Sequence, residues 1–187
     1  MKTFKTSLFV ILVALVSVTE PASGREPTIA LCIAVPTLGP GKNEREVAAF
    51  DVHSHFQVIL LNISGKPQRI VTEGNSWGYD ALSFEFTDQA GKKFAPRRKT
   101  VVWTRNNLRW WLLQPQESLV LEVYFADSQR WQGFPNPPRY GDSEAVTLRA
   151  VFEIKPNEVP PKDGLWTGRV LSKPGKYVFF NRTLETK

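Results

Sequence analysis

The chain has 187 residues, with 24 lysines and arginines against 18 acids and a formal net charge of +6. Its single cysteine excludes an internal disulfide, so stability has to come from a packed core. The basic balance suits an anionic surface without by itself implying nucleic acid.

Lys2 and Lys5 precede an almost wholly apolar run over residues 7–18, and small residues follow in the "PASG" of residues 21–24. A charged start, a short apolar stretch and a small-residue exit describe a secretory signal peptide, assigned to residues 1–24. The run is shorter than the roughly 20 apolar residues a spanning helix needs. The mature chain is therefore expected to have no membrane span and to be periplasmic or extracellular, an uncleaved anchor being the alternative. Residues 25–47 read as an N-terminal strand and linker, 48–181 as a β-sandwich domain, and 182–187 as a polar tail.

The mature chain reads as strands separated by Pro, Gly, Asn and Asp turns. "TIALCIAV" (28–35) is the first strand, with Cys32 expected as a buried, inert thiol. Residues 49–64 alternate, with Val52, Phe56, Val58 and Leu60 on one face and Asp51, His53, His55 and Gln57 on the other, and so predict one half-buried strand. A short strand follows over 68–73. "NSWGYD" (75–80) is expected to be a structural corner. There Gly78 supplies a positive φ or room, Trp77 closes one end of the sandwich and Asp80 bonds backbone groups. Leu82, Phe84 and Phe86 then line one face of a strand that "TDQAGKK" (87–93) closes as a hairpin loop.

Pro96 cannot donate to a ladder, which makes residues 94–107 an edge strand or a loop crossing. The turn Gln114-Pro115-Gln116-Glu117 splits the next apolar run into two strands, the second with Leu119, Leu121, Val123 and Phe125 on one face. Residues 128–144 form a long Pro-rich loop, and 145–154 a strand with Val146, Leu148, Ala150, Phe152 and Ile154 on one side. After a second Pro-rich loop, residues 165–180 are expected as a hairpin through "KPGK". Eight or nine short strands with regular turn signals predict an all-β, immunoglobulin-like antiparallel β-sandwich.

No GxSxG, Walker loop, HExxH or paired cysteine is present, so no catalytic, cofactor or metal residue is assigned and the chain reads as a non-enzyme. Asp51, His53 and His55 form a His-x-His strand face that lacks a visible third ligand from elsewhere. The aromatic residues carry more. There are six tryptophans, and the adjacent Trp110 and Trp111 must point to opposite faces if their segment is a strand, so that one can be core and the other exposed. Arg97, Arg98, Lys99, Arg105 and Arg109 sit among them. The partner-contact candidates are Trp77, Tyr79, Trp103, Trp131 and Phe134, facing a protein or polysaccharide of the cell envelope. Export argues against nucleic acid. The loop 129–140 is the candidate for a rigid protease-blocking segment. The sequons at Asn62 and Asn181 serve a glycosylating host only, and the first also suits a strand-ending turn.

"LNISGKP", "SWGYDALSFEFTDQAGKK", "LLQPQESLVLEVYF", "LRAVFEIKP" and "LWTGRVLS" together resemble an uncharacterised family of exported bacterial β-domain proteins of planctomycete type. That resemblance implies fold and location and no activity. A strand ending in Asn-x-Ser, a Tyr-Asp strand ending in an Asp-x-x-Gly turn, and a Leu-x-Pro-Gly-Glu-like turn are also similar to the intracellular proteinase inhibitor family. This implies an immunoglobulin-like fold and an inhibitory loop. Gln116 stands where that family's turn has glycine.

Overall fold

The computed structural model describes residues 27–35, 37–38, 47–51, 55–124, 129–160 and 164–181. The expected signal segment, most of the linker after residue 35, His53, Phe125 and the polar tail lie outside them. In chain order the elements are β1 (Ile29–Ala34), β2 (Thr37–Leu38), β3 (Val47–Asp51), β4 (His55–Asn62), β5 (Gln68–Val71), α1 (Ser76–Tyr79), β6 (Leu82–Thr87) and β7 (Lys93–Phe94). They continue with β8 (Arg97–Arg98), β9 (Trp110–Leu113), β10 (Ser118–Tyr124), β11 (Trp131–Gln132), β12 (Ser143–Ile154), β13 (Gly168–Leu171) and β14 (Gly175–Phe180).

The molecule is an all-β sandwich. A three-stranded sheet, β1-β4-β10, faces a larger one with the order β11-β8-β6-β12-β14-β3-β2. Four strands of that larger sheet have only two residues each, which is why more strands form than the turn signals suggest. Pairing is antiparallel except between β14 and β3. Period-two patterning sets the inner faces: Phe56, Val58 and Leu60 on β4, Leu82, Phe84 and Phe86 on β6, and Val146, Leu148, Ala150, Phe152 and Ile154 on β12 are all buried. Phe56 meets Phe84 across the sandwich with 5.7 Å between ring centroids, and Phe86 meets Phe179 at 5.9 Å. One continuous apolar core results.

Three sequence expectations need correction. The single strand expected over 49–64 is two strands in different sheets: β3 pairs with β14, and β4 lies between β1 and β10. Asp51 and His55 therefore share no strand face. Cys32 is exposed, not buried. Alternation turns Leu31 inward and Cys32 outward opposite Ile59, while partial burial still pushes its thiol pKa up and keeps it protonated at neutral pH.

The last two strands are not a hairpin. β13 pairs with Val151–Ile154 and β14 with Ser143–Leu148, end to end along the same edge of β12. Between them Ser172, Lys173 and Pro174 oppose only Arg149 and Ala150, a one-residue bulge. Pro174 has no N–H to give the ladder, and the Ser172 hydroxyl instead accepts from Ala150 N–H at 2.9 Å.

The other turns form as expected. Asp88 Oδ1 accepts from Lys92 N–H at 2.8 Å, and Gly91 adopts φ +81 in the β6–β7 hairpin. Asn62, at the end of β4, is fully buried, and its Nδ2 donates to the carbonyls of Lys66 and Leu113, both at 2.9 Å. This sequon asparagine is thus occupied as a turn brace.

Candidate functional site

The corner before β6 is a single helical turn capped by Asn75. Its Oδ1 accepts from the N–H groups of Trp77 (3.1 Å) and Gly78 (3.0 Å), and its Nδ2 donates to Arg109 O (3.2 Å) and Thr72 Oγ1 (3.3 Å). Asn75 itself is fully buried, so one side chain ties α1 to both β5 and the start of β9. Gly78 is needed for close approach, since a Cβ there would overlap the Thr72 carbonyl oxygen. Its φ is not positive, which corrects one of the two reasons expected for it. Trp77 packs against the core as the corner reading requires.

This corner aims Tyr79 at the most unusual side chain of the fold. β8 contains two adjacent arginines, and alternation turns Arg97 outward and Arg98 inward. Arg98 is 3% exposed and lies between two aromatic rings, its guanidinium carbon 5.1 Å from the Tyr79 centroid and 5.1 Å from that of Trp131. Register explains the second contact, because β11 sets Trp131 directly across from Arg98. Nη2 donates to Glu73 Oε1 at 2.5 Å, while Nε and Nη1 have no hydrogen-bond partner among the described residues. The two ring faces partly replace the missing partners. Desolvation raises the carboxyl pKa of nearby Asp80, an effect that Arg97 and Arg98 oppose and Glu158 reinforces.

Four of the five partner candidates gather here. Trp103 packs edge-on against Tyr79 at 5.6 Å, and Phe134 meets Trp131 at 5.8 Å and Phe84 at 6.0 Å. Trp131 is 4% exposed, so its ring belongs to the core, whereas Trp103 is half-buried at the surface. Asn106 docks the Trp103 loop on α1, accepting from Ser76 N–H at 3.0 Å and donating to Ser76 Oγ at 2.6 Å. The loop 129–140 is pinned inward by Trp131 and Phe134, and Asn181 Nδ2 donates to Pro138 O at 3.0 Å.

A run of exposed large apolar residues lies elsewhere, on β9. Trp110, Trp111 and Leu112 are 40%, 53% and 51% exposed. The expectation of one core and one surface tryptophan is corrected: β9 pairs only with β5 in a separate two-stranded ribbon, where both tryptophans are exposed and only Leu113 of β9 is buried. Arg69 of β5 sits over the Trp110 ring at 5.7 Å. The sequence signal is the run "WWLL" ahead of the Pro115 turn.

Among the described residues no three His, Cys, Asp or Glu side chains gather as a metal site, and no helix is long and apolar enough to cross a membrane. His55 lies 3.6 Å from Glu122 on an open strand face. No known protein family, curated protein or solved structure matches this chain.

Proposed function

We propose that the protein is an exported, non-catalytic β-sandwich module that binds a protein or glycan of the cell envelope through the segment from Val101 to Leu112. One observation carries this reading. Seven large apolar residues are exposed among the described residues, and five of them, Val101, Val102, Trp110, Trp111 and Leu112, lie in that segment. Single exposed apolar residues are ordinary on a soluble surface, but a concentration within one loop and ribbon marks an interaction site. Trp103 on its Tyr79 support extends the same segment. Export rests on the charged and apolar start of the chain and agrees with the resemblance to exported β-domain proteins.

The test is retention from envelope extracts on the immobilised protein, run beside a Trp110→Ser/Trp111→Ser variant. The expected result is a protein or glycan held by the native chain and lost by the variant. Equal retention by both places the binding surface elsewhere, and a hydrolytic activity that co-purifies with the chain overturns the non-catalytic reading.

A further inference from the structure

The charge around the exposed ribbon is one-sided. Between Asp88 and Glu117 the sequence holds seven lysines and arginines and no acid, although the whole chain has 24 basic and 18 acidic residues. Only Arg98 of the seven is buried; Lys92, Lys93, Arg97, Lys99, Arg105 and Arg109 are exposed. The same interval contains the five exposed apolar residues of the proposed binding segment. Exposed cations and bare indoles thus share one stretch of the chain, with Arg109 next to Trp110 in sequence and Arg69 over the Trp110 ring.

We infer that the partner of this segment is an acidic polysaccharide, a chain of pyranose rings bearing carboxylates. Indole faces match the apolar faces of sugar rings, and guanidinium groups pair with carboxylates through two parallel hydrogen bonds. Arg69, exposed beside Trp110, places both kinds of contact within one sugar unit's reach. The geometry also separates this partner from an anionic bilayer. Trp110 and Trp111 are neighbours on a strand and lie on opposite faces of the ribbon. A flat lipid surface meets one such face, whereas a flexible polymer can pass over both. This inference rests on the reading of residues 101–112 as the binding segment and narrows its partner to one class.

The experiment measures binding of the purified chain to polygalacturonate, with neutral dextran and phosphatidylglycerol vesicles as the other arms, across a salt series. Polygalacturonate is expected to bind, dextran to bind far more weakly, and affinity to fall as salt screens the charges. Trp110→Ser/Trp111→Ser is expected to weaken polygalacturonate binding about tenfold or more, the equivalent of one good contact. Lys99→Gln/Arg105→Gln is expected to weaken it and flatten the salt dependence. Thermal unfolding of each variant confirms that the fold is kept. No binding to polygalacturonate, binding indifferent to the tryptophan changes, or preferential binding to the vesicles overturns the inference. Protein retained from envelope extracts while polygalacturonate stays unbound sinks the polysaccharide partner and leaves the binding module standing.

Discussion

Two places in this molecule combine arginine with aromatic rings, and they have opposite fates. Around Arg98, Tyr79 and Trp131 close over a guanidinium that is almost wholly withdrawn from water and bonded to Glu73. On the β5–β9 ribbon, Arg69 rests on Trp110 in the open, and Trp111 and Leu112 stand beside it without cover. The residue types are the same; the difference is the number of layers above them. β8 is stitched between β6 and β11 in the large sheet, so an inward side chain there meets core. β9 belongs to a two-stranded ribbon that reaches the core through Leu113, Ile70 and Val71 and leaves Trp110, Trp111 and Leu112 at the surface. A buried cation between rings is a structural clamp, whereas an exposed one lies on the surface that a partner would meet.

The largest way to break this contrast is at the floor of the clamp. Gly78→Ala drives a methyl group into the Thr72 carbonyl oxygen, where backbone must move. A loss of about 3 kcal/mol in denaturant unfolding is expected, with the Asn75 cap disrupted. A loss below about 1 kcal/mol would show that the corner yields easily.

Next come the two arginines themselves. Arg98→Ala leaves Glu73 without its partner and a void between two rings, for an expected loss of about 3 kcal/mol. Arg98→Met, filling the space without charge, is expected to recover most of it. Arg69→Ala is expected to lose less than Arg98→Ala, because the Arg69 side chain is exposed and its contact with Trp110 stays in water. Equal losses at Arg69 and Arg98 would erase the distinction drawn between the sites.

A smaller effect sharpens the exposed side. Gln116, in the turn between β9 and β10, is the one non-glycine residue with positive φ among the described residues, at +68. A side chain in that region is strained by about 1 kcal/mol, so Gln116→Gly is expected to raise stability by about 0.5 kcal/mol after glycine's entropic cost. Trp110→Ser/Trp111→Ser is expected to shift stability by less than about 1 kcal/mol while removing partner binding, as measured by thermal unfolding beside a retention assay.

The smallest expected effect is at Asp80, whose raised carboxyl pKa means that the folded state disfavours its charge. Stability from this group is therefore greater at low pH and falls as pH rises through the titration range. Asp80→Asn is expected to stabilise slightly at pH 7 and to lose that advantage below about pH 4, where both folded and unfolded carboxyls are protonated. Denaturant midpoints at the two pH values check it.

Much of the fold was legible because period-two patterning is a local property. The inward residues of β6 and β12 follow directly from alternation in "LSFEF" and "AVTLRAVFEI". Of the candidate site, the sequence supplied residues but not their roles: Tyr79, Trp103, Trp131 and Phe134, expected to meet a partner, pack around Arg98, with Trp131 inside the core. Their organiser was not legible, since nothing in the pair "RR" says which arginine faces the core until β8 has a register. Trp110 and Trp111 were recognised as lying on opposite faces, but their joint exposure depends on where β9 pairs.

By itself, then, the sequence determined the all-β class, the turns at Asp88–Lys92 and Gln114–Glu117, and the corner before β6, because each depends on residues within a few positions of one another. Tertiary structure alone decided that residues 49–64 split between two sheets, that β13 and β14 align end to end, that Cys32 faces out, and that one arginine is sealed while the tryptophans of β9 are bare. Those outcomes turn on which strand lies beside or above another, and long-range pairing leaves no mark in local periodicity.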